Sequence, residues 1–224
     1  MPTTQKIAPL AAGDTLTWEE FEARWDATPE IKFAELIGGK VYMPPPLSIP
    51  HGEMDGTIIC WLGNYASQTA GCKAATNSTV RLLKDAPQPD AHLRLLPECG
   101  GRSRVRNNYL HGAPELAAEI CLSSAAYDLH EKKELYRTAG VQEYLAVLMY
   151  EEEVRWHRLE GGSYKLLKPG KDGVIRSIVF PGLWLDTRAL LKENLRQVLD
   201  TLNQGLASDE HTKFAAELAT KMGS

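Results

Sequence analysis

Asp90 stands at the head of the run Asp90-Ala-His-Leu-Arg-Leu-Leu96, and Glu119 lies near the end of Glu115-Leu-Ala-Ala-Glu-Ile-Cys121. Both are carboxylates in apolar, strand-like surroundings. Lys132 follows in Asp128-Leu-His-Glu-Lys132, which opens a helical pattern. Two strand-borne acids and a lysine are the parts needed to hold a divalent cation beside a phosphodiester. Hydrolysis of that ester requires a neutralised phosphate, an activated water and a stabilised leaving oxygen. Mg2+ or Mn2+ supplies much of each and prefers hard oxygen ligands. If Asp90 and Glu119 lie on adjacent strands, their carboxylates converge and the backbone carbonyl of Ile120 is a natural third ligand, with waters completing the octahedron. Lys132 falls about one turn into its helix, so its long stem can reach back to a strand end and favour negative charge in the transition state.

Each of these residues also has a plainer reading. Pro89-Asp90 is a common turn pair. Lys132 sits beside Lys133 and suits a solvated helix face. Glu119 is harder to dismiss, because a carboxylate inside an apolar strand is costly unless paired or metal-bound. His51 opens a helix after Pro50, where a structural or substrate-facing role competes with that of a general base. His92 and His130 read as structural or surface histidines, and Tyr136 as a core residue that could line a cleft. Arg102, Arg104 and Arg106 fall on one loop-like stretch and either grip a phosphate backbone or face solvent. Trp156 and Trp184 read as core or interface residues.

The elements that must position these side chains are legible in outline. Thr17-Trp-Glu-Glu20 has the capping-box form, with Phe21 and Trp25 giving one apolar face to a short helix. Residues 34–43 read as a β-hairpin turning at Gly38-Gly39 and stopped by Pro44, Pro45 and Pro46. Met54, Ile58, Leu62 and Tyr65 predict a helix over 51–69, and 72–83 a strand in two pieces. The segment 98–112 reads as an exposed loop. Asp128 is the expected N-cap of a helix ending at Gly140. Strands are predicted over 141–150, 154–159, 164–167 and 175–180, then a closing helix over 186–202 and a further amphipathic or fraying helix beyond Gly205. The interleaving favours an α/β or α+β domain with a mixed sheet. The expected organisation is a lead-in over 1–16, one domain over 17–205 and a helical tail over 206–224.

The 224 residues, 43% hydrophobic and 24% charged, describe a folded chain with room for a proper core. A net charge of −4 argues against a protein that coats nucleic acid nonspecifically, though local charge or a bound metal leaves a nuclease open. Cys60, Cys72, Cys99 and Cys121 show neither C-x-x-C nor zinc spacing and are read as reduced, mostly buried thiols. Without a basic-then-apolar leader or a long apolar run, a cytoplasmic location is the expectation. The chain contains no G-x-S-x-G, P-loop or G-x-G-x-x-G segment, so serine hydrolases and nucleotide-dependent enzymes are poorly supported.

The segments Phe33-Ala-Glu-Leu-Ile-Gly-Gly-Lys-Val-Tyr-Met43, Pro50-His51, Pro89-Asp90, Pro114-Glu-Leu-Ala-Ala-Glu119, Tyr127-Asp-Leu-His-Glu-Lys-Lys-Glu-Leu-Tyr136, Ala139-Gly-Val-Gln-Glu-Tyr144 and Pro181-Gly-Leu-Trp-Leu185 occur in a fixed order along most of the chain. In this the chain resembles the PD-(D/E)XK nuclease superfamily, and within it the restriction-endonuclease-like proteins often called Uma-type. The resemblance implies a restriction-endonuclease-like core, a mixed central sheet flanked by helices with the metal site at one sheet edge. It implies that Asp90 and Glu119 are the metal-binding acids, that Glu35 is a third acid, and that Lys132 is a helix lysine replacing the one usually found two residues after the glutamate. That usual position is Cys121 here, and the typical Ser-Pro-Ser-Thr turn is Leu122-Ser-Ser-Ala125. A homodimer and a DNA substrate are also implied. Two functions follow: a Mg2+ (or Mn2+) dependent deoxyribonuclease, or a nuclease-fold protein that binds or assembles without catalysis. They differ in whether Asp90, Glu119 and Lys132 share one cleft.

Overall fold

The computed structural model describes residues 7–122 and 126–223, with the backbone alone for 126–129. In chain order the elements are α1 (Trp18–Asp26), β1 (Glu35–Ile37), β2 (Lys40–Tyr42), α2 (Ile49–Gln68), β3 (Cys72–Thr76), β4 (Val80–Arg81) and β5 (Ala91–Leu95). After these come β6 (Arg104–Arg106), β7 (Tyr109–His111), β8 (Leu116–Cys121), α3 (Ala126–Ala139), β9 (Glu143–Leu148), β10 (Glu153–Glu160) and β11 (Ser163–Leu166). The chain closes with β12 (Val174–Arg176), β13 (Trp184–Asp186), α4 (Thr187–Leu191), α5 (Leu195–Leu206) and α6 (Asp209–Met222).

The centre is a six-stranded sheet in the order β11-β10-β9-β8-β5-β3. Only β8 and β9 run parallel, because α3 connects them as a crossover; the other pairs are antiparallel. The fold is therefore mixed α+β, as the residue pattern predicts. Along β8 the side chains alternate. Leu116, Ala118 and Ile120 enter the main core with Ile58, Trp61 and Leu62 of α2 and Val198 and Leu202 of α5. Ala117 enters a second cluster, with Leu135 and Tyr136 of α3. Helices thus cover both faces.

Local chemistry explains the element ends. Thr17 and Glu20 form the reciprocal capping box of α1, and the Ser48 hydroxyl accepts from the His51 N–H at the start of α2. Gly38 (φ 61°) and Gly39 (φ 76°) turn the β1–β2 hairpin through conformations that side chains disfavour. That hairpin is pinned to the body of the protein by backbone hydrogen bonds between Leu36 and Ala86 and by the Asp85 carboxylate accepting from Gly39 N–H.

The structure departs from the sequence reading in four places. The strand expected over 175–180 ends at Arg176 and pairs with β13, which the sequence pattern does not announce. Residues 98–112 are not a plain loop: β6 and β7 form a hairpin turning at Asn107 and Asn108, both at positive φ, and β7 pairs with β4. The closing helix over 186–202 is two helices, broken at Glu193 (φ 53°) and restarted by the Asn194 cap. Helix α3 begins at Ala126, two residues before the cap expected at Asp128; the side chain of Asp128 and the turn at 123–125 lie outside the described residues. All four cysteines are free, with Cys72 and Cys99 buried and Cys60 exposed. Among the described residues no helix is long and apolar enough to cross a membrane.

Candidate active site

The register of the sheet brings the acids together. Ala91 pairs with Ala118 across β5 and β8, so the next residues out, Asp90 and Glu119, stand opposite each other. Directly opposed residues of an antiparallel pair project to the same face. Glu119 Oε2 lies 3.1 Å from Lys132 Nζ, and Lys132 Nζ lies 2.9 Å from Glu35 Oε1. Glu35, at the start of β1, also accepts from the Gln88 N–H at 2.6 Å. Asp90 Oδ2 accepts from the Ile120 N–H at 2.6 Å, and Asp90 Oδ1 is 3.5 Å from His51 Nε2. These side chains line one cavity of about 600 Å³.

The cavity thus collects Glu35, Asp90, Glu119 and Lys132 from four separate elements, as well as His51, whose partner no local sequence signal reveals. Ile120 also lines it, with its N–H turned to Asp90. Tyr136 is fully buried and donates to Glu119 Oε1 at 2.6 Å, so it is both core and part of the site's wall. Arg102 lies outside the cavity lining, where its guanidinium donates to the Gly140 carbonyl and its backbone N–H to Glu115. Arg104 and Arg106 are exposed on β6, away from the cavity lining. His92 is buried and His130 exposed. Trp156 is fully buried, while half-buried Trp184 stacks against Arg176.

The electrostatics are unbalanced. Three carboxylates face one lysine, with His51 at the edge. Burial pushes the Glu119 carboxyl up to about 8; Lys132 opposes the shift, while Asp90 and Glu35 add to it. Burial alone would lower Lys132, but Glu119 and Glu35 outweigh it and hold the ammonium charged, above its ordinary value. The hydrogen bond to Asp90 raises His51 against the effect of burial. Asp55, which accepts from Thr76 and Asn77, is raised by burial and by the nearby Asp90. Cys121, in the strand position beyond Glu119, is pushed up to about 12 by burial and then by Glu119, so it is a neutral thiol rather than a nucleophile.

Among the described residues no three His, Cys, Asp or Glu side chains are arranged to hold a metal ion. The expected set is smaller: two carboxylates and one backbone carbonyl. Its donors are hard oxygens, and the surplus negative charge around Glu119 is of the kind a divalent cation neutralises, so the residues fit such an ion.

Fold and cavity together define a mixed α+β protein with an acid-and-lysine site where β5, β8, the hairpin and α3 meet. The model of the family "Uma2: Putative restriction endonuclease" matches residues 18–188, and the chain belongs to that family. A crystal structure described as "a putative nuclease belonging to DUF820", from Anabaena variabilis, is similar with a TM-score of 0.63 at 18% identity, covering 80% of this chain and 98% of that one. At that identity the likeness speaks for the fold alone. No protein with a curated description matches the chain.

Proposed function

We propose that this protein hydrolyses DNA phosphodiester bonds with the aid of Mg2+ or Mn2+. The observation that carries the reading is the convergence of Asp90, Glu119, Glu35 and Lys132 on one cavity with more negative than positive charge. In this reading Asp90, Glu119 and the Ile120 carbonyl hold the ion, which when bound supplies a Lewis acid and a more acidic water. The Ile120 N–H fixes one Asp90 oxygen and His51 faces the other, so the carboxylate is pre-aimed. Tyr136 fixes Glu119 in the same way. Glu35 holds Lys132 at the cavity, where its ammonium can meet a phosphate oxygen and favour the charge that builds as water adds to phosphorus. One P–O bond forms, one breaks, and the departing alkoxide takes up a proton.

Calorimetry with Mn2+ and a cleavage assay on single-stranded and plasmid DNA test this together. Wild type should bind the ion and nick, and Glu119→Ala should do neither. Wild type that binds no divalent ion sinks the mechanism. A second reading, a nuclease-fold binding or assembly protein, is favoured by one feature: Lys132 is engaged by both Glu35 and Glu119, and the strand position beyond Glu119 holds a neutral thiol. Ion binding without nicking would select it. A homodimer suited to cutting two strands is part of the first reading, and sedimentation velocity tests it.

A further inference from the structure

The acids are deeply set. The side chains of Glu119, Glu35 and Asp90 are 7%, 10% and 13% exposed. The cavity above them has a volume of about 600 Å³. Its lining includes an apolar lip of Ile31, Phe33, Pro44, Pro45, Pro46 and Leu47. Phe33 is 52% exposed and Leu47 56%, and both belong to the small set of large apolar side chains left open to solvent. The proline run fixes its own backbone, so the lip costs little to order around a ligand. The lining cations are few: Lys132 is engaged by Glu35 and Glu119, and Lys32 donates to the Pro29 carbonyl.

We propose that this cavity takes an unpaired nucleotide strand rather than an intact duplex, with a base laid against Phe33 and the prolines while the adjoining phosphate reaches the acids. The inference rests on the phosphodiester reading of the site and names its substrate class. A duplex keeps its bases stacked inside, where an apolar lip cannot touch them. A single strand presents base faces freely, and aromatic stacking binds any base.

The test compares a fluorescent oligonucleotide, single-stranded and as its blunt duplex, by anisotropy in Ca2+ and by cleavage in Mn2+. Single strand should bind at least about tenfold tighter than duplex, and Phe33→Ala should remove most of that preference. Leu47→Ser, an exposed position, should weaken single-strand binding in the same direction, and circular dichroism checks that both variants fold. Duplex bound as tightly as single strand, or a preference untouched by Phe33→Ala and Leu47→Ser, overturns the proposal whether or not anything is cut. If single strand binds through Phe33 but neither form is cleaved, the hydrolysis reading fails and the strand preference stands. Phe33-dependent self-association in sedimentation velocity without strand binding would assign the lip to a second copy and overturn the proposal.

Discussion

Glu119 and Glu143 stand on the neighbouring parallel strands β8 and β9, both in apolar runs and both shut from solvent, but their surroundings treat the charge in opposite ways. Glu143 is enclosed by neutral donors. Trp156 Nε1, Ser177 Oγ and the N–H groups of Ile178 and Val179 all donate to it within 3.1 Å. Burial raises its carboxyl, and those donors pull against the rise. Glu119 receives one hydroxyl and one lysine, faces Asp90 and Glu35, and opens on a cavity. A buried acid answered by fixed dipoles ties the β12 region to the sheet. A buried acid left among other acids beside open space has charge to spare for a ligand.

The sharpest way to break this comparison is to remove each acid in turn. Glu119→Ala should lower Mn2+-dependent nicking by about a thousandfold or more while leaving a folded protein. Glu143→Ala should instead destabilise the fold by several kcal/mol, since each buried donor left unanswered costs about 1–3 kcal/mol. Urea denaturation beside the nicking assay separates the two, and equal losses of stability would erase the distinction. Lys132→Met should come next, costing about 3–5 kcal/mol at neutral pH because Glu35 and Glu119 lose their shared cation, and less in acid, where the carboxyls protonate.

Two smaller effects sharpen the contrast through pH. Burial, and then Arg94, holds His92 down to about 4 from an ordinary 6.5. Between those values the unfolded chain takes up a proton that the native state refuses, so stability falls as pH drops through the window and is unaffected above it. The share of His92 in the loss from pH 7 to pH 5 should be about 2 kcal/mol, read by urea denaturation as the difference between wild type and His92→Gln. His157, also held near 4, adds in the same direction, so His92→Gln should flatten only part of the slope. At Glu119 burial favours the protonated carboxyl, and ion binding competes with that proton. Apparent Mn2+ affinity should therefore rise with pH through the neutral range. Calorimetry in buffers of different ionisation heat reads the released proton directly; an affinity flat between pH 6 and 8 would place the ion elsewhere.

Much of this arrangement is legible in the residues themselves. Thr17 with Glu20, Gly38-Gly39 and the apolar spacing of α2 announce their elements locally, and the acid pair follows from two strand patterns whose ends align. Other features depend on partners far along the chain. The cost of an acid in an apolar strand applies to Glu115 and Glu143 as much as to Glu119. Only the folded surroundings reveal that Leu95 and Arg102 satisfy the first, and Ser177 and its neighbours the second. His51 reaches Asp90 across the sheet edge. The β6–β7 hairpin did carry a local signal in Asn107-Asn108, since paired asparagines tolerate the positive φ of a tight turn, but the surrounding arginines and glycines read as loop.

The Asn107-Asn108 turn has one more consequence, for protein engineering. It divides the site evenly: Glu35 and Asp90 precede it, Glu119 and Lys132 follow, and β5 must find β8 before Asp90 stands opposite Glu119. A chain cut there would give two pieces, each carrying half of the charge set, whose reassociation across the β5–β8 seam is the event that builds the cavity. The fold is in that sense a two-part reporter, silent in either piece and complete only when the halves rejoin.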